Sequence, residues 1–205
     1  IPEGNLLSEF REHVAPEMQK SPSRLADLPL VEHLQVQPLI DQLASPDVQV
    51  RKAVLEAMAK RRGRRLIDCI RSALNDPNPE IYQYAVAKLG QIQEEHAREL
   101  TEARIYFSQT REPQAAHALA RAYHDYLQSG LLEKTLEPLY LGQLADLYRE
   151  ILKLAGESES VWLSLAQVLM LLGDYAEARL SFQKALQIQP ASLQAQLGLL
   201  ELHYL

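Results

Sequence analysis

The chain has 205 residues, 47% of them apolar and 23% charged, with a net charge of −6 and a single cysteine. That composition belongs to one or two compact domains or one helical solenoid. It excludes an internal disulfide and argues against nucleic-acid binding by the whole surface. The few glycines and prolines sit where helices should stop, which points to an all-α fold. No apolar run approaches the roughly 18–20 residues that cross a bilayer, and no signal-peptide pattern opens the chain. The first residue is Ile1 and the last helical pattern runs into Leu205, so an internal fragment of a longer protein is expected.

Residues 1–30 combine an amphipathic pattern (Leu6, Leu7, Phe10, Val14) with a Ser21-Pro22-Ser23 breaker, and read as a partly ordered arm. From Val31 the pattern is densely helical. PLIDQLASPDVQVRKAVLEAMA (38–59) aligns with CIRSALNDPNPEIYQYAVAKLG (69–90) at an offset of 31 residues. In each, an apolar helix ends in a Pro/Asp/Asn turn and a second helix starts at once. Ser45-Pro46 and Asn78-Pro79 both read as an N-cap followed by proline at the first helical position. After Pro79, apolar residues recur by threes and fours at Ile81, Ala85, Leu89, Ile92, His96, Leu100, Ala103 and Phe107. That spacing predicts one helix to about Gln109, with Gly90 a weak point and His96 a packed core residue.

Residues 112–156 read as a degenerate helix–turn–helix unit. Ala116, Leu119, Ala120 and Tyr123 lie on its first helix, and Leu144, Tyr148 and Ile151 on its second. The stretch from Ser129 to Tyr140 is an insertion, either a loop or a short extra helix. The sharpest repeat is Val161 to Pro190. Trp162, Leu165, Ala166 and Leu169 mark a first helix and Gly173-Asp174-Tyr175 a turn. Ala178, Phe182, Ala185 and Leu186 mark a second helix, and Pro190 follows it. Small residues at Ala166 and Ala178 allow close approach, with Trp162, Leu169, Tyr175 and Phe182 filling the space beside them. Asp174 with Glu177 reads as a capping box. One such hairpin cannot bury its own apolar face, so stacked neighbours are expected. Ser192 to Leu205 starts another first helix, with Leu199 and Leu200 in the repeat positions, which would cap the hairpin before it.

Enzyme motifs and cofactor-binding patterns are absent from this reading: no glycine-rich phosphate loop, no nucleophile elbow, no H-E-x-x-H. His117 and His124 share a helix face, but no third ligand for a metal is evident. Cys69, between Ile67 and Ile70, reads as a small buried hydrophobe rather than a reactive thiol. Two surfaces are candidates for binding. Repeat geometry points Leu163, Gln167, Met170 and Leu171 of the first helix into a concave groove, which suits an apolar segment of a partner protein. The run Lys60, Arg61, Arg62, Arg64, Arg65 around Gly63, reinforced by Arg51, Lys52 and Arg71, makes one turn strongly positive. It fits a solvated loop as well as a contact for anionic lipid, acidic protein or nucleic acid. No aromatics interleave with the arginines, so nucleic acid is not the expected partner. A HEAT-type nucleic-acid binder using 60–65 is the alternative reading.

The hairpin over 159–190 resembles the tetratricopeptide repeat. The pair of 38–59 and 69–90 resembles the short bacterial HEAT repeat, with the apolar-arginine pair kept at Val50-Arg51 and lost at Ile81-Tyr82. The resulting expectation is an α-solenoid: HEAT-like repeats and a connecting helix over 31–109, then a tetratricopeptide region over 110–205. RRGRRLIDCIRSALNDPNPEIYQYAVAKLGQIQEEHARELTEAR, with AYHDYLQSGLLE downstream, is similar to the cytoplasmic portion of the PelE family. This resemblance implies a non-catalytic scaffold on the cytoplasmic face of a bacterial inner membrane, anchored by segments outside this chain. It also implies PelD, a cyclic-di-GMP receptor, PelF and PelG as partners in exopolysaccharide synthesis.

Overall fold

The structure, a computed structural model, describes residues 38–61 and 63–204. The expected N-terminal arm and Arg62 lie outside these residues. A helical stretch over 38–43 precedes α1 (Val48–Arg61), α2 (Arg64–Ser72) and a 3-10 turn (Ala73–Asn75). Then follow α3 (Pro79–Thr110), α4 (Pro113–Ser129), α5 (Glu137–Ala155), α6 (Glu159–Leu172), α7 (Tyr175–Ile188) and α8 (Leu193–Tyr204). No strand occurs among the described residues. From α2 onward each helix packs chiefly on its neighbours in the chain, the pattern of a repeat stack.

The helix ends follow from local chemistry. Asn78 caps α3 by accepting a hydrogen bond from the Glu80 N–H at 2.9 Å, with Pro79 as the first helical residue. At the equivalent turn the cap is Asp47 rather than Ser45. Its carboxylate accepts from the Gln49 N–H at 2.8 Å, and Ser45 Oγ in turn accepts from the Asp47 N–H at 3.2 Å. Asp174 caps α7 through the Glu177 N–H at 3.1 Å. The reciprocal half of the expected capping box is replaced, because Arg149 of α5 takes the Glu177 carboxylate with two hydrogen bonds, at 3.0 and 2.7 Å. This bidentate pair ties one hairpin to the next. The 129–140 insertion resolves into a short loop held by buried Leu132 and an early start of α5 at Glu137.

Two cores share one spine. The first gathers Leu55, Met58, Ile67, Ile70, Ile81 and Ile92, among others; the second runs from Leu100 through Ile151, Leu165 and Phe182 to Leu202. Continuous α3, 32 residues long and unbroken at Gly90, supplies both, Ile81 to Ile92 for one and Leu100 to Phe107 for the other. His96 sits between them, 5% exposed, stacked on Tyr126 at 5.7 Å. Tyr126 in turn meets Tyr140 edge-on at 5.7 Å. Arg104 of α3 donates to Tyr123 Oη at 2.7 Å, and Tyr123 donates to Gln143 at 2.8 Å, joining α3, α4 and α5.

Ion pairs between layers follow the HEAT-like register. Arg51 of α1 pairs with Asp76 in the equivalent turn of the next unit. Lys52 pairs with Glu80, and Glu56 is held by Lys88 and by Tyr84 Oη, the latter at 2.9 Å. The hydrogen bond from Lys88, then that from Tyr84, keeps the Glu56 carboxyl below the ordinary glutamate range. A depressed carboxyl adds stability above its unfolded-state pKa and loses it as pH falls through the folded value. The N-terminal half is therefore expected to lose part of its stability on acidification, and Glu56→Gln to flatten that limb. Matching acid-denaturation curves for the two proteins would contradict this.

Two expectations about packing change. Tyr175 is 46% exposed instead of filling the hairpin, whereas Ala166 and Ala178 are fully buried as their small size requires. On α8 the buried residues are Ala195, Gly198 and Leu202; Leu199 is partly buried and Leu200 is exposed. Gly198 lies against the Phe182 ring, where a Cβ would stand 2.3 Å from the nearest ring carbon. With Gly198 facing the ring, Leu200, about 200° further round the helix, faces outward.

Candidate concave binding trough

In stacked hairpins the first helices line the inner side of the curve. On α4, His117, Arg121, His124 and Gln128 recur at steps of three and four and share that side. On α6 the equivalent line is Ser160, Ser164, Gln167 and Leu171. Leu141, Leu144 and Tyr148 of α5 form the floor between them, and Arg64 of α2 stands at one end. The central cleft holds about 400 Å³. A neighbouring hollow of about 460 Å³ shares Arg64 and Gln128 with it and is lined further by His96 and Asp125. A third shares His124, Tyr148 and Ser164 and reaches His117. Through these shared lining residues the three hollows adjoin, from Gly63 at one end to Ser160 at the other, and are taken together as the trough.

Its chemistry is that of a binding surface. Leu127, Leu141, Val168 and Leu171 give an apolar floor and wall, while Arg64, Arg121, Glu137 and the amides of Gln128 and Gln167 give a polar rim. Burial pushes the Tyr148 phenol above its usual pKa, partly offset by a hydrogen bond with Ser164. Tyr148 therefore stays neutral. His117 and His124 lie along the trough, and no group of three or more metal-binding side chains occurs among the described residues. Burial raises the Cys69 thiol, with Asp68 adding to the effect, which makes it a poor nucleophile.

The sequence-derived sites fall differently on this geometry. Gln167 and Leu171 line the trough, and Leu171 is 72% exposed. Leu163 and Met170 do not line it. Leu163 is buried in the second core and Met170 packs against it. Seven residues apart on one helix, they share a face about a quarter turn away from the Ser164–Gln167–Leu171 line. The basic turn is smaller than its composition implies. Arg51 and Lys52 are spent on Asp76 and Glu80, and Arg71 pairs with Asp68 at 2.9 Å while donating to the Gly130 carbonyl at 2.8 Å. Lys60 lies 3.7 Å from Glu56. Arg61 stands at the C-terminus of α1, where a cation is favoured. Arg64 and Arg65 open α2, the end where cations are disfavoured, with no ion-pair partner among the described residues. Arg64 joins the trough, so the two candidate surfaces meet there. Sequence reasoning missed α5's floor residues and the role of Arg64, though the His117–His124 spacing already marked the α4 side.

The HEAT-repeat family matches residues 36–126, and the tetratricopeptide-repeat family matches residues 160–192. The chain is an all-α solenoid of HEAT repeats followed by tetratricopeptide repeats. The HEAT match runs through α4, whose buried side, Ala116, Leu119, Ala120 and Tyr123, also follows tetratricopeptide spacing; both repeats are antiparallel hairpins, so a helix at their junction serves either. No curated protein and no solved structure matches the chain. Both repeat families are generally non-catalytic scaffolds that bind proteins. No helix among the described residues is long and apolar enough to cross a membrane.

Proposed function

We propose that this solenoid is a non-catalytic scaffold that grips a segment of a protein partner in its concave trough, within a membrane-bound exopolysaccharide synthase of the Pel type. The observation that carries the first part is the trough itself. An apolar floor of Leu141, Leu144 and Leu127, rimmed by arginines and amides, suits an extended or helical segment with apolar anchors. The narrower reading, a PelE-type component meeting PelD, PelF and PelG at the cytoplasmic face of an inner membrane, is supported by the likeness of the connecting stretches and by the order of the repeats. Arg61, Arg64 and Arg65 suit anionic headgroups nearby, at about 1 kcal/mol per basic residue close to the surface.

The test uses the soluble cytoplasmic portion of PelD as the titrant. Gln167→Arg with Leu171→Glu is expected to weaken binding by about tenfold or more, the equivalent of ~1.4 kcal/mol. The helical circular-dichroism signal should be unchanged, because both side chains are exposed. Unchanged affinity would remove the trough from the interface. No binding by the parent chain would remove PelD as the partner.

A further inference from the structure

Charge is unevenly spread along the trough. At the α2 end Arg64 is balanced by Asp125 and Glu137 in the same linings. At the α6 end a hollow of about 370 Å³ is lined by His117, Arg121, His124, Tyr148, Ser160 and Ser164, with Ala120 and Val161, and by no carboxylate. Asp125, four residues beyond Arg121, lines the α2 end instead, and Arg121 makes no ion pair with it or with any other described residue. Glu159, next to Ser160 in the chain, is turned to the following repeat, where it accepts from Ser192 Oγ at 2.6 Å. Ser164 donates to the Ser160 carbonyl at 2.9 Å. That leaves the Ser160 hydroxyl beside Arg121, His117 and His124 as donors toward the hollow.

We propose that this end is a subsite for Asp or Glu side chains within the bound segment of a protein partner. The inference rests on the trough reading above and adds the chemistry and direction of what binds there. Charge complementarity selects the occupant. The chain carries a net charge of −6, so an acidic segment is repelled by most of the surface and attracted where the lining holds cations and no carboxylate. Arg121 suits a carboxylate through two parallel N–H groups, and His117 and His124 stand one helical turn to either side of it. A neutral or basic segment would desolvate Arg121 and leave it without an acceptor. The neighbouring floor of Leu127, Leu141 and Leu144 takes an apolar side chain. Along α4, Arg121 and Leu127 are six residues, about 9 Å, apart. An extended segment lying along the trough therefore carries its acidic and apolar residues about three positions apart.

The test is selection of a randomised library of short peptides on the 205-residue chain. The peptides are acetylated and amidated, so that only side chains supply charge. Bound peptides are expected to be enriched in Asp or Glu about three positions from Leu, Ile, Met or Phe. Arg121→Gln should weaken a selected peptide by about tenfold or more, the size of one charged hydrogen bond. Added salt should weaken it progressively in the parent chain. Arg121 is exposed, so the helical signal of the variant should match the parent's. Arg64→Gln, at the balanced end, should leave the acidic preference in place. Apolar enrichment without acidic residues overturns the subsite and leaves the trough standing as a binding surface. Acidic enrichment that survives Arg121→Gln, or that disappears in Arg64→Gln, also overturns the subsite. A selection that shows no preference and is indifferent to Leu171→Glu overturns the trough reading together with it.

Discussion

Tyr126→Ala is expected to lower stability by about 3–5 kcal/mol, the usual cost of emptying a buried aromatic site, and to uncouple the two halves of the molecule. Tyr126 is 5% exposed, stacks on His96 between the two cores and meets Tyr140 edge-on. Without it α4 and α5 lose most of their aromatic grip on the middle of α3. The single tryptophan, Trp162, lies in α6 and reports only the C-terminal half, whereas far-ultraviolet ellipticity reports every helix. In the parent protein the two urea transitions should coincide; in the variant their midpoints should separate. Coincident midpoints would show that the unbroken backbone of α3 is enough to hold the halves together.

Phe182→Ala should cost a similar ~3–5 kcal/mol, but its effect should be local. Phe182 is 2% exposed, and its ring occupies the space a side chain at Gly198 would need. Removing the ring leaves α8 with little to pack on, since that helix rests mainly on α7. Hydrogen exchange is expected to quicken across α8 and α7 while amides of α1 to α3 keep their protection. Uniform loss of protection would mean that the stack unfolds as one unit. The reverse substitution, Gly198→Leu, should displace the same ring and expose α8 in the same way.

These two sites also show what a single sequence discloses and what it does not. The helices and their pairing were legible because the apolar residues keep strict periods: the run from Ile81 to Phe107 names nearly every buried residue of α3, and the Trp162-to-Pro190 spacing names the hairpin. The trough was half legible. Gln167 and Leu171 were found by repeat geometry, but the same rule admitted Leu163 and Met170, because a quarter-turn error on a helix moves a residue from groove to core. Arg64 lines the trough beside residues 60 or more positions further along the chain, and Tyr148 beside residues of two other helices, which no local pattern records. The basic turn misled for the same reason. Composition counts Arg51, Lys52 and Arg71 as charge; the i,i+3 spacing already sets Asp68 beside Arg71, but only the fold shows Asp76 beside Arg51 and Glu80 beside Lys52. Nothing in the sequence around Gly198 marks the Phe182 ring that lies against it in the fold.

The packing of each helix chiefly on its neighbours bears on how the protein forms. Contacts close over short lengths of chain, and such topologies fold on microsecond-to-millisecond timescales. The first hairpins, with their Arg51–Asp76 bond, have all their partners before α6 has left the ribosome, so assembly can proceed from the amino end during synthesis. The α6–α7 packing, the Arg149–Glu177 pair, the Ser192–Glu159 hydrogen bond and the seating of α8 wait for the C-terminal residues.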